Sequence, residues 1–571
     1  MQEFVNTIAG ILATVLALFS GYEDAEVVAS IQASRTDCVS PCTVTFTAEG
    51  TKAGEVRESE VWRDLLYFWD FNTKIHDRFG KLYDQKYRYW GFDREPIESS
   101  ISVGHKPMAT KTFFCDIGIC EYTVRLRAQS PYGKYDDTKS TITVRSESNQ
   151  WPIKKTICVS NTLGRQENWF NFDKPCPPGA IKQSKLPNWD QYRDTLILLK
   201  RGDIFEQNIA TQQGQSNWKL GYFGNQKDRK PYIAGQLFVG ARAITIGSED
   251  APKSYPTSNY NSDVELYGWP SNITVEGIEL HSISLPPSYQ HIGFHNIVMD
   301  GRGKKGRIAT ISIARGNTYC HDFPTHETKA LSCENVPYPK GFYLSSSFLF
   351  GSDDYRNTLN VSGIGCAMVN YIGMVDNFIA RALEHNIRVM GWYRYHIHAS
   401  HVAGGHSYKS KQKVSNRPCV TGPNWKTWNK WKPEKWDTDI EGRTRADGAR
   451  GNGENNYNTG DNVKRSRWQL VSDTVMGDIK LHGDNPGGPI YQSNIASPHE
   501  PLVRDVLISD SIFVYASGEN GSNINFPGDH MSCKNNLYTR PKNCFPKSKE
   551  FNNEIESDVM GDHSKILPPN T

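Results

Sequence analysis

A short phrase returns along the second half of this 571-residue chain: apolar residues alternating around a polar pair drawn from Ser, Asp, Asn and His. It reads Phe294-His295-Asn296-Ile297-Val298, then Leu344-Ser345-Ser346-Ser347-Phe348, Met374-Val375-Asp376-Asn377-Phe378 and His398-Ala399-Ser400-His401-Val402. It returns as Val471-Ser472-Asp473-Thr474-Val475 and Ile508-Ser509-Asp510-Ser511-Ile512. A strand, a tight polar turn and a second strand, repeated at roughly 20 to 50 residues, describe a solenoid whose units bury their apolar face only by stacking. Asp376-Asn377 and Ser400-His401 stand 24 positions apart (400 − 376 = 24), which is one rung of a right-handed parallel β-helix. Such a stack has long flat sheets outside and an apolar column within, a surface that suits a polymer.

No long helical periodicity follows residue 150, so an all-β chain is expected. Lys and Arg number 65 against 62 Asp and Glu; this near balance leaves no global basic field and argues against a nucleic-acid partner. The length admits more than one core.

The cysteines point to an oxidising compartment. Ten of the 12 fall into close pairs, Cys38 with Cys42, Cys115 with Cys120, Cys158 with Cys176, Cys320 with Cys333 and Cys533 with Cys544. Their flanks lack zinc-site spacing, and local disulfides of an exported protein are the expectation. Cys366 sits in an apolar run as a free thiol, and Cys419 has no local mate.

Five segments are expected: a hydrophobic segment at 1–24, a β-sandwich at 25–147, a linker at 148–190, a parallel β-helix at 191–545 with a long loop at 404–467, and a tail at 546–571. Residues 4–19 are almost wholly apolar, the length of a signal-peptide core, yet Glu3 stands where a basic residue belongs. An atypical export signal, a retained membrane anchor or self-assembly helix, and a helix packed on its own protein all stay open.

Between 25 and 147 the grammar changes to short strands with one buried face, such as Thr43-Val44-Thr45-Phe46-Thr47-Ala48 and Ser140-Thr141-Ile142-Thr143-Val144. The opening strand Pro41-Cys42-Thr43-Val44-Thr45-Phe46, the phrase Phe68-Trp69-Asp70-Phe71 and the closing run Glu121-Tyr122-Thr123-Val124-Arg125-Leu126 resemble the PKD family of immunoglobulin-like modules. Asn72 replaces the family's glycine, and an aromatic insertion from Tyr83 to Phe92 follows. The resemblance makes Trp69 and Asp70 core and turn residues rather than a site. With Ile157-Cys158-Val159-Ser160-Asn161, Cys176-Pro177-Pro178-Gly179-Ala180 and Leu198-Leu199-Lys200-Arg201-Gly202-Asp203-Ile204-Phe205, the whole resembles exported bacterial proteins with a PKD module before a pectate-lyase-like β-helix. That resemblance implies an architecture and fixes no activity.

Candidate chemistry gathers at Tyr393-Arg394-Tyr395-His396-Ile397-His398. In a strand, Arg394, His396 and His398 share one face. A guanidinium and two imidazoles beside Tyr393 have the chemistry to hold a uronate carboxylate and withdraw the adjacent proton, as polysaccharide β-elimination requires. The plainer reading is that this stretch serves turns and stacks between coils. Hydrolase grammars of the same fold fail: Asp353-Asp354 matches one element, but Gly405-His406-Ser407 breaks another, and Arg388 and Arg394 enclose no proline as a pectate lyase would. The 404–467 loop interleaves Trp425, Trp428 and Trp431 with lysines, which suits stacking on sugar rings and meeting acidic groups. The 451–461 tract, rich in Asn, Gly and Asp, has the composition of a Ca2+ turn, the one metal the sequence suggests. The expectation is an exported or cell-surface protein meeting a polysaccharide or surface glycan, with lyase-like cleavage as its enzymatic form. A non-catalytic surface, appendage or virion-spike rod is the alternative.

Overall fold

The computed structural model describes residues 22–71, 88–89, 92–93, 106–164, 169–188, 191–211, 215–239, 270–285, 289–301, 310–313, 340–350, 357–360 and 369–380, and beyond these a series of strands from 385–387 to 559–560. These residues form a β-sandwich and a parallel β-helix.

In the sandwich, one sheet runs Gln32–Ala33, Cys42–Thr47, Met108–Phe113. The other runs Asp37–Val39, Tyr135–Arg145, Ile119–Gln129, Leu66–Asp70. Alternation decides what each strand buries. Val44, Phe46, Ala109 and Phe113 of the first sheet meet Trp69, Val124, Leu126, Ile142 and Val144 of the second in one apolar core. Trp69 belongs to that core, and its indole N–H donates to the Lys106 carbonyl at 2.7 Å. The intervening residues Thr43, Thr45, Thr47 and Thr110 face away from this core, yet they too are buried. A threonine face buried on the outside of a sandwich requires a second surface against it.

That surface is the β-helix. Among the described residues its strands join into a 13-stranded and a 15-stranded sheet, parallel throughout. In the 13-stranded sheet Ile197, Leu220, Val275, Phe294, Leu344 and Met374 stand in one register column, each at most 1% exposed. Each such side chain contributes about 1.5–3 kcal/mol through burial, so the stack supplies the apolar drive that no single coil has.

The polar pair of the repeated phrase makes the turn between the sheets. Its first residue takes the left-handed conformation, with φ of 53° at Asn296, 48° at Ser346 and 56° at Asp376. Its second residue points inward and joins coils: the Ser347 N–H donates to Asn377 Oδ1 at 3.1 Å, and Asn377 Nδ2 donates to the Leu344 carbonyl at 2.9 Å. The rung at this place is 23 residues, because Phe378 lies opposite His401 (401 − 378 = 23), one fewer than the sequence spacing suggests. The polar pair slips by one position from coil to coil while the inward apolar residues hold register.

Two expected boundaries move. The segment 148–190, expected as a linker, carries Thr156–Val159 and Ile181–Gln183, both strands of the 13-stranded sheet. The Cys and Pro residues around them concealed the alternation, and the Cys158–Cys176 disulfide ties this coil together. At the other end, strands Glu554–Glu556 and Val559–Met560 continue both sheets into the expected tail, too short to show a period. Disulfides also join Cys38 to Cys42 and Cys115 to Cys120. Cys320, Cys333, Cys366, Cys419 and Cys544 lie outside the described residues, as do residues 4–19, and Cys533 lies on the strand Gly528–Lys534. Among the described residues no helix is long and apolar enough to cross a membrane.

Candidate functional site

The threonine face of the sandwich rests on the outer face of the 13-stranded sheet. Thr43 Oγ1 lies 3.2 Å from Ser345 Oγ, and Ser345 Oγ lies 2.9 Å from His295 Nδ1. The Phe114 ring meets the His295 ring edge-on at 5.4 Å. Contact is close enough to fix a residue type: a Cβ at Gly373 would stand 2.2 Å from Thr45 Oγ1 and 2.9 Å from Thr110 Cγ2.

One end of the joint is pinned by Lys219, which is fully buried. Its ammonium has three N–H donors. It meets the Ser40 carbonyl at 2.9 Å, Glu147 Oε1 at 2.5 Å and Glu276 Oε2 at 2.6 Å, so both units supply partners. Burial alone would push both carboxyls up. The ammonium between them wins, and both are held below the usual carboxylate range while Lys219 is held above its own.

At the other end the charges do not balance. Arg35, from the sandwich, donates through Nε and Nη2 to the Thr43 carbonyl at 3.1 and 2.8 Å and lies over the Tyr343 ring at 4.3 Å. Tyr343 donates its hydroxyl to Ser34 Oγ at 2.8 Å. His291 Nδ1 is 3.2 Å from that same hydroxyl. Tyr371 reaches Gln32 Oε1 at 3.4 Å, and the Lys340 ammonium lies 5.9 Å from the Tyr371 ring. Burial, then Arg35 and Lys340, push the His291 imidazole down to about 3, so it is neutral at physiological pH. Burial likewise holds Arg35 below its usual value.

The backbone sets this end. His291, Gly341 and Tyr371 occupy successive coils between the paired positions Gln290, Lys340, Asn370 and Ile292, Phe342, Ile372, with φ of 56°, 77° and 62°. Only glycine adopts that conformation freely. At Gly341 a side chain would also stand 2.4 Å from His291 Nδ1.

The strand expected around Arg394 is formed, from Trp392 to His398. His396 lies opposite Gly373 and His398 opposite Val375, in the register columns that carry Gly293 and His295. Arg394 falls between Tyr393, opposite Asn370, and Tyr395, opposite Ile372. The strand therefore continues the sheet on which the sandwich sits, and it lies beside Cys42–Thr47 and Met108–Phe113. Trp425, Trp428, Trp431, the 451–461 tract and Asp353-Asp354 lie outside the described residues. The groups that sequence reasoning missed are Arg35, His291, Lys340, Tyr343 and Tyr371. Outward alternation in Lys340-Gly341-Phe342-Tyr343-Leu344-Ser345 was a usable signal for Tyr343. Nothing local signals a partner such as Ser34, which is 309 positions away.

No protein-family model matches the chain, and no curated protein does. Among solved structures it is similar to the Family 28 exopolygalacturonase of Yersinia enterocolitica, at 12% identity over 94% of this chain and 98% of that one. The TM-score is 0.30, too low to carry a fold or an activity across.

Proposed function

We propose that this is an exported β-helix protein that holds an acidic polysaccharide where the sandwich meets the β-helix. The observation that supports this reading is the run of basic, imidazole and phenol residues on four successive strands of the 13-stranded sheet: His291 and His295, Lys340 and Tyr343, Tyr371, then the strand that carries Arg394, His396 and His398. Arg35 joins them from the sandwich. A parallel stack repeats such groups about every 4.8 Å along its axis, which favours a ligand that is itself extended. The PKD kinship of the sandwich belongs to this proposal, and the disulfides support export.

If the protein also cleaves its ligand, Arg394 clamps the carboxylate and His396 or His398 takes the proton beside it; a carbon–carbon double bond forms as the adjoining glycosidic C–O bond breaks, and the departing sugar oxygen takes a proton from water. The test incubates the protein with uronate-containing and neutral polysaccharides, and follows unsaturated products and new reducing ends. Elimination gives both signals. His396→Ala or Arg394→Ala then lowers turnover by at least about a hundredfold. A blank in both signals removes catalysis, and failure to retain any acidic glycan removes the functional reading.

A further inference from the structure

The joint between the two units is charged unequally at its two ends, and the difference points to a ligand. At the Lys219 end every ammonium donor meets an oxygen, and two carboxylates face Lys219 with Lys174 close enough to act on both. At the Arg35 end, among the described residues, no carboxylate meets Arg35, Lys340 or His291. Arg35 uses Nε and Nη2 on a single carbonyl. A guanidinium carries five N–H donors, so three remain. Lys340 has the Tyr371 ring as its neighbour and no acceptor among the described residues. Arg35 and Lys340 both act on the His291 imidazole; two cations sharing a neighbour without an anion are costly wherever solvent is partly excluded, and such a set recurs where a protein recognises an oxyanion.

The alternative is that Arg35 only clamps the sandwich to Tyr343. That role explains the stacking and the Thr43 bonds. It gives no reason for Lys340 on the adjoining coil, nor for a neutral histidine on which both cations act. Arg35 and Lys340 are both partly exposed, so an oxyanion can reach them from the edge of the joint.

We propose that this edge is a binding site for an oxyanion borne on an extended ligand, a uronate carboxylate or a sulfate ester, gripped by Arg35 of the sandwich and Lys340 of the β-helix. The site exists only while the sandwich is docked, so the sandwich supplies part of the recognition rather than serving as a spacer. The reading above contributes the carrier of the oxyanion; the grip itself rests on the geometry of Arg35, Lys340, His291 and Tyr343.

Isothermal titration of the full chain tests it with four probes: a galacturonate oligomer, the same oligomer with its carboxyls reduced, a sulfated oligosaccharide and inorganic sulfate. Lys340→Gln leaves the sandwich contacts in place, and Arg35→Gln is its partner variant. The expected result is binding of a charged probe, no binding of the reduced oligomer, and a loss of at least about tenfold in affinity in each variant, the scale of one charge-assisted hydrogen bond. The stronger of the uronate and sulfated probes names the source. A second readout follows the His291 imidazole by NMR, assigned with His291→Gln. The charged groups facing it are Arg35 from the sandwich and Lys340 and Tyr343 from the next coil. An anion seated between the two cations raises its titration midpoint from about 3.

Equal binding of the reduced oligomer overturns the proposal. So does an unchanged affinity in Lys340→Gln with an unchanged melting temperature, or no binding of any probe. Sulfate binding that Arg35 and Lys340 control, with no glycan retained, keeps the site and removes the polysaccharide reading. Glycan retention untouched by either variant does the reverse.

Discussion

The β-helix has two outer faces made by the same repeat, and they are dressed in opposite ways. Under the sandwich the outward columns hold Lys219, Thr274, Gly293, Tyr343 and Gly373, then Glu276, His295, Ser345 and Val375. Nearly all are polar or glycine, and several bond to the sandwich. On the other sheet the column turns apolar after Glu279, running Val298, Phe348, Phe378, with Phe348 46% exposed and stacked on Phe378 at 5.0 Å. His401, Val475, Ile512, Leu537 and Val559 continue that column by register. The inward columns of the two sheets are alike. Stacking alone specifies the solenoid, and the outward residues specify what covers it. A fixed neighbour is read by hydroxyls, one buried ammonium and a missing side chain, while the other face, among the described residues, has its rings stacked on one another.

The sharpest way to break that contrast is Lys219→Met. Removing the ammonium leaves the buried Glu276 and the partly buried Glu147 facing one another, and a broken buried pair costs about 3–5 kcal/mol. Thermal unfolding of the variant should show the largest fall of any single change at the joint. The exposed Arg127–Asp137 pair, at 2.7 Å, is the control, and Arg127→Ala should cost less than about 1 kcal/mol. The pH dependence has a definite sign. The two carboxyls are lowered in the folded state, so their stabilising contribution is complete above about 4.3 and is lost as pH falls further. Lys219 is raised, so its contribution is complete below about 10.4 and is lost as pH climbs past that. The gap between parent and variant should therefore be widest from about pH 5 to 10 and close on either side. A gap that widens in acid would show that the carboxyls are not paired in the folded protein.

A smaller effect is expected from one added side chain. Gly373→Leu drives atoms into Thr45 and Thr110, whereas Ala380→Leu enlarges an outward position of the other sheet. The first should cost about 1–3 kcal/mol and speed limited proteolysis near 146–156 as the sandwich lifts; the second should stay within about 0.5 kcal/mol. Equal cleavage in both variants would mean that the covered face is no more specific than the open one.

Much of the solenoid was legible because its signal is local. Leu344, Met374 and their neighbours announce the inward face, and a turn needing left-handed backbone selects Asn, Asp or Ser. The sandwich strands were legible for the same reason. The extra coil at Thr156–Val159 was obscured because four residues cannot display a period. The joint was beyond reach in another way. Thr43 reads as the solvent face of a strand, and Lys219 as an ordinary surface lysine. Burial reverses both readings, and it comes from coils up to about 300 positions away. Arg394, His396 and His398 were legible as members of one strand, Trp392–His398; that this strand lies beside the sandwich depends on the docking.

The finest test compares two adjacent residues of one short strand. Leu349 points into the stack and is fully buried, so Leu349→Ala should cost about 2–5 kcal/mol. Phe348 points out, and Phe348→Ser forfeits only its ring contacts with Phe350 and Phe378, about 0.5–1.5 kcal/mol, partly offset by removing apolar surface from water. Urea unfolding of the two variants, with the slope checked for change, measures the difference directly. A cost at Phe348 equal to that at Leu349 would mean the outer column is buried in solution, since stacking between rings alone cannot supply a full cavity term. The contrast between faces would then be one between two covered surfaces, one covered from within the chain and one by a second molecule. Concentration dependence of the Phe348→Ser effect would identify the latter, because a contact between molecules weakens on dilution and a ring stack within one chain does not.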